Sequence, residues 1–144
     1  MKDISETDII RFLEAQEIPY FCGYKQAFQE IRNGNHWIWY IFPKLRCLGC
    51  SSRVHYYGIA GKLEAEQYWK HHIPEKRIRE ITQAILCHKG KTALEIFGDI
   101  DVVRVRSCMT MFDFFPPNDI FGEIIDSFYN GEHCEITLKV MQQK

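Results

Sequence analysis

Apolar positions recur along most of this chain at helical rather than alternating spacing. In SETDIIRFLEAQ (residues 5–16) Ile9, Phe12 and Leu13 fall on one side of a helix that a Ser-x-x-Asp start would cap. YKQAFQEIRNG (residues 24–34) repeats the pattern through Tyr24, Ala27, Phe28 and Ile31 and ends at Asn33-Gly34, a helix-stop pair. Further helices are expected over KLEAEQYWKHH (62–72), over EKRIREITQAILCHKG (75–90) behind Pro74, and over KTALEIFG (91–98). DIDVVRVRSCMTMFDFF (99–115) is stopped by Pro116-Pro117, NDIFGEIIDSFYNG (118–131) opens at Asn118, and EITLKVMQ (135–142) closes the pattern. Between these, KLRCLGCSSRVHYYG (44–58) reads as a loop. The run HWIWYIFP (36–43) is apolar without a decisive period, and with no second alternating run to pair with it, a helical turn or irregular backbone is favoured over a strand. The pattern predicts an all-α fold of about eight short helices.

Length fits this picture: 144 residues and no linker or repeat suggest one domain, residues 1–144, with a core of ordinary size. Lys and Arg number 18 against 19 Asp and Glu, so the chain lacks the charge of a general nucleic-acid binder. No apolar run approaches a membrane span, and the first residues, MKDISETDII, do not resemble a secretory leader. A soluble cytoplasmic protein is expected, its six cysteines reduced. The oligomeric state is left open.

Candidate chemistry is concentrated in four places. His36, at the edge of the aromatic block, is a candidate acid or base, with Trp37 as a stacking wall, although most of that block is expected to be core. LGCSSRVHYYG places Gly49 and Ser51 in a loop whose backbone N–H groups and hydroxyls suit an anion, with Tyr57 beside them; a plain connecting turn is the simpler reading. Arg106, Ser107 and Thr110 lie close together on one helix, as ligand contacts or, for the hydroxyls, as partners of the preceding turn's carbonyls. Cys47-x-x-Cys50, with His71, His72, Cys87-His88 and His133-Cys134 elsewhere, has half of a zinc spacing and lacks the matching pair, so no metal is expected. No cofactor fingerprint is present, and none is expected.

Several blocks taken in order resemble one known family. They are Phe12 with Gln16, YKQAFQEIRNG, HWIWYIFPKL, LGCS with Tyr57 and Ile59, EAEQYW with His71 and Arg77, IFGDID, RVRSCMTMF, then Phe121, Phe128, Gly131 and Thr137-Leu138. The chain resembles the bacterial family of unknown function numbered eighteen-ten, over nearly its full length. The resemblance implies a mainly helical single domain and supplies no reaction. Its motif positions imply a polar shortlist: His36, Trp37, Gly49, Ser51, Tyr57, His71, Arg77, Asp101, Ser107 and Thr110. The sequence departs from the family pattern at Lys44, where Gln is typical, and at Cys47, where Gly is typical.

Two functions compete. One is a small-molecule site that binds, and by extension hydrolyses, a phosphorylated or nucleotide-like compound. His36 would be its acid/base, Trp37, Tyr57, Gly49 and Ser51 would shape it, and Arg106, Ser107 and Thr110 would contact the ligand. It would form where the His36 turn, the Gly49–Ser51 loop and the Arg106–Thr110 helix meet. The alternative is a protein- or peptide-interaction module presenting the aromatic segment Phe112–Phe121.

Overall fold

The computed structural model describes residues 11–16, 26, 28, 38–45, 57–88, 90–98, 101–115 and 120–142, apart from the side chain of Trp39. Among these residues the regular structure is helical, with seven helices: α1 (Ile38–Ile41), α2 (Lys62–Lys70), α3 (His72–Leu86), α4 (Ala93–Phe97), α5 (Val102–Asp113), α6 (Ile120–Phe128) and α7 (Glu135–Gln142). Residues 11–16 are helical as well. The only β-like feature among the described residues is an isolated parallel bridge between Leu45 and Ile59. The all-α expectation holds. None of these helices is long and apolar enough to cross a membrane.

Local chemistry sets the helix boundaries. The α2 helix ends at His71, whose extended backbone also begins α3; its Nδ1 accepts the Ile73 N–H at 3.3 Å. Pro74 then occupies the first turn of α3, where its missing N–H costs nothing. Ile78, Ile81, Thr82 and Ile85 form the buried stripe of that helix. Thr92 and Glu95 make a reciprocal capping box at α4, and Gly98, at φ 86°, turns the chain out of it. Asp101 precedes α5 without capping it and pairs instead with Arg104 at 3.1 Å.

The centre of the molecule is α5. Val105, Cys108, Met109, Met111 and Phe112 are wholly buried, because α2, α4, α6 and α7 all pack against this one helix. The aromatic block lies in the same core: Ile38, Tyr40, Ile41 and Phe42 are buried, and α1 is the helical turn that its sequence permitted. Gln16 donates to the Tyr40 carbonyl at 2.7 Å and to the Tyr68 hydroxyl at 3.0 Å, and Arg77 reaches the Leu13 carbonyl at 3.2 Å. Arg11 and Glu64 form a buried ion pair at 2.7 Å, and Glu64 also accepts the Ala60 N–H. These bonds satisfy polar groups that would otherwise be costly inside the core.

The described phenylalanines of the aromatic segment expected as a possible contact face are mostly interior. Phe112, Phe115 and Phe121 are buried around Trp69, and Phe114 alone among its described phenylalanines is exposed, with the Lys62 ammonium 4.9 Å from its ring centre. Burying three aromatic rings stabilises the fold far more than displaying them would.

Candidate functional site

The site is assembled by a turn. Asn130 and Gly131, both in the left-handed region at φ 54° and 77°, end α6 with the Gly131 N–H bonded to the Ile125 carbonyl at 3.0 Å. The reversal brings Glu132, His133 and Cys134 back across α5. The Tyr129 hydroxyl donates to the Val102 carbonyl at 2.7 Å, and His133 Nε2 lies 3.2 Å from Asp113 Oδ2, so the connector is held near both ends of α5. Between those anchors the Cys134 N–H donates to Thr110 Oγ1 at 2.9 Å, while the same hydroxyl donates to the Arg106 carbonyl at 2.8 Å.

This arrangement leaves an open cavity of about 700 Å³ between α5 and the start of α7. Arg106 lines it from α5; Glu132, His133, Cys134, Glu135 and Ile136 line it from the connector and α7. Arg106 Nε is buried and has no hydrogen-bond partner, an unusual state for a guanidinium nitrogen.

Cys134 occupies the position just before α7, where its carbonyl accepts the Leu138 N–H at 3.0 Å. Its sulfur is placed as the cap of that helix. Burial pushes the thiol up, but hydrogen bonds from Ser107 and from the hydroxyl and backbone N–H of Thr137 outweigh it, with Arg106 adding a positive charge. The net result is a thiol held below its ordinary value. The Thr137 hydroxyl lies 3.2 Å from Sγ. Ser107 has one proton to give, and the Val103 carbonyl at 3.2 Å also accepts it. A thiolate is the stronger acceptor for that donor, and a neutral thiol the weaker.

Lys44 stands on the same side of the molecule. Burial and Arg104 push its ammonium below the usual lysine range, while Cys134 and Asp101 pull it back up. Lys44 therefore lies within electrostatic reach of the Cys134 sulfur.

The sequence candidates divide clearly. Arg106, Ser107 and Thr110 come together around Cys134, and both hydroxyls also make the bonds to the preceding turn that their spacing allowed. Tyr57 packs against Phe12 and Tyr40 and is not part of the cavity wall. His71 caps α3, Arg77 ties residues 13 and 16 to α3, and Asp101 pairs with Arg104, which gives each a structural role. His36, Trp37, Gly49, Ser51, Cys47 and Cys50 lie outside the described residues. No metal-binding group of His, Cys, Asp or Glu occurs among the described residues.

Sequence reasoning weighed His133 and Cys134 only as metal ligands and missed the thiol. The available signal was Cys-Glu-Ile-Thr three residues after the turn glycine Gly131, a helix start with sulfur in the cap position and threonine three residues on.

Comparison with known proteins agrees with the helical architecture. The family described as Protein of unknown function (DUF1810) matches residues 6–141. This chain belongs to that family. The family chain superposes on the crystal structure of the conserved hypothetical protein Rv1873 from Mycobacterium tuberculosis with a TM-score of 0.85 and 30% identity, covering 97% of this chain and 100% of that one. No curated protein matches it.

Proposed function

We propose that this DUF1810 protein binds a small phosphorylated or nucleotide-like ligand in the cavity between α5 and α7. The observation that carries the reading is the half-buried Arg106 side chain in the wall of an open cavity. A guanidinium is suited to a phosphoryl oxygen, which it binds by paired charge-assisted hydrogen bonds. Lys44 adds positive charge from the same side. Glu132 and Glu135 on the opposite wall favour a ligand that also carries hydroxyl or amino donors, as a ribose or an aminosugar does. The wider site expected from the sequence is proposed as an extension, with His36 as acid/base, Trp37 as a stacking wall, and Gly49 and Ser51 as further anion contacts.

A thermal-shift screen of nucleotides, ADP-ribose and sugar phosphates against the wild type and Arg106→Met tests this. A ligand at about 100 times its dissociation constant adds ~2.7 kcal/mol of stability, and the methionine variant should lose most of that gain. Silence across the phosphorylated panel, or a shift unchanged by Arg106→Met, overturns the reading.

A further inference from the structure

The cavity wall carries an imidazole that anion binding does not use. His133 lines the cavity, its side chain 32% exposed, and its Nε2 lies 3.2 Å from Asp113 Oδ2. A carboxylate can only accept, so this bond places the proton on Nε2 and fixes the tautomer of the neutral ring. Nδ1 is then left with a lone pair and, among the described residues, no partner.

The carboxylate is placed for that bond. Asp113 Oδ1 is buried and has no hydrogen-bond partner among the described residues, because α6 lies over it: a Cβ on Gly122 would stand 3.0 Å from that oxygen. A pair that only fastened the connector would leave Oδ1 in water at no cost, whereas a covered oxygen without a donor is destabilising. Among the described residues the hydrogen bonding of Asp113 is directed at the imidazole alone.

We propose that His133 is a general base for hydrolysis of a phosphodiester held in this cavity, with Asp113 as its positioning residue. The proposal rests on the anion site above, since the Arg106 side chain is the described group that would hold the phosphoryl oxygens. Charge selects the diester. Arg106 shares the wall with Glu132 and Glu135, which repel a singly charged diester less than a doubly charged terminal phosphate. In the step, a water oxygen bonds to phosphorus as Nδ1 takes a proton from that water and the ester P–O bond breaks. The departing alkoxide takes a proton from solvent, and the imidazolium, stabilised by Asp113, returns its own to solvent. The products are an alcohol and a phosphomonoester.

The test follows p-nitrophenolate release from bis(p-nitrophenyl) phosphate and from p-nitrophenyl phosphate by folded full-length protein at neutral pH. The diester is expected to turn over faster. His133→Gln, whose amide can still donate to Asp113 and keep the connector in place, should lower kcat about 100-fold with little change in KM. Asp113→Asn should lower kcat by less, again with KM kept; circular dichroism and urea unfolding confirm the fold of both variants. No release above the protein-free rate, faster release from the monoester, or a kcat unchanged in His133→Gln overturns the proposal. Turnover that falls in His133→Gln but is unchanged in Arg106→Met refutes the anion site alone. Ligand stabilisation that is lost in Arg106→Met, beside a wild type without turnover, refutes the general base alone.

Discussion

Ser107 illustrates how one atom serves two purposes in this molecule. Its hydroxyl bonds the Val103 carbonyl, as a serine inside a helix often does, and it also faces the Cys134 sulfur. The first bond matters to the helix very little, because serines back-bonded in this way are close to neutral in stability. The second shifts an acid–base equilibrium. Removing it leaves burial acting on the thiol with one opposing donor fewer, so Ser107→Ala should move the Cys134 ionisation upward. The check is the pH profile of iodoacetamide alkylation at Cys134, followed by peptide mapping, whose midpoint should rise while unfolding in urea stays nearly unchanged. A midpoint that does not move would show that Thr137 and Arg106 set the thiol by themselves.

At the level of elements, short helices depend on their ends. The α4 helix has only five residues, too few to be stable on propensity, so the Thr92–Glu95 box supplies much of what keeps it formed. Thr92→Ala should cost about 1 kcal/mol in urea unfolding, with no effect on the distant cavity. That box is a contiguous signal and could be read from Thr-Ala-Leu-Glu alone. The helical stripes of α3 and α6 were equally readable, since Ile78, Ile81 and Ile85, or Phe121, Ile124 and Ile125, state their period directly. The aromatic block was legible as apolar, and a helical turn or irregular backbone is favoured over a strand only because no second alternating run can pair with it; four residues of α1 are too few to show a period. The cavity was less legible still. Arg106, Ser107 and Thr110 could be grouped on one helix from spacing, but their partner Cys134 is 24 residues from Thr110 and joined to it by a backbone-to-side-chain bond. No periodicity encodes such a bond; it follows from the turn at Asn130-Gly131 and the tertiary docking of the connector.

For the molecule as a whole, buried ionisable groups make alkaline pH the sensitive direction. Burial raises the Cys108 thiol above its ordinary 9.0 and the Tyr68 and Tyr129 hydroxyls above their ordinary 10.0. In each case the folded form holds its proton where the unfolded chain gives it up. Stability from these groups is therefore full below the ordinary value and is lost as pH climbs toward the folded one. Cys134 and Lys44 have lowered values and act in the opposite sense: their contributions rise with pH just below their ordinary values of 9.0 and 10.5. Melting temperatures should fall as the pH passes 10, and Tyr129→Phe should make that decline shallower, at the expense of the bond to Val102. That bond has a consequence of its own. The chain from Tyr129 to Cys134 is stapled to α5 at Val102, Thr110 and Asp113, so it has no private way to open. The amide at a helix cap usually exchanges with solvent water through local fraying, but the Cys134 amide is bonded to Thr110 of α5 and is expected to exchange with that helix. Its exchange rate accordingly reports the cooperative opening of the central helix, and the peptide that walls the cavity shares the lifetime of the core.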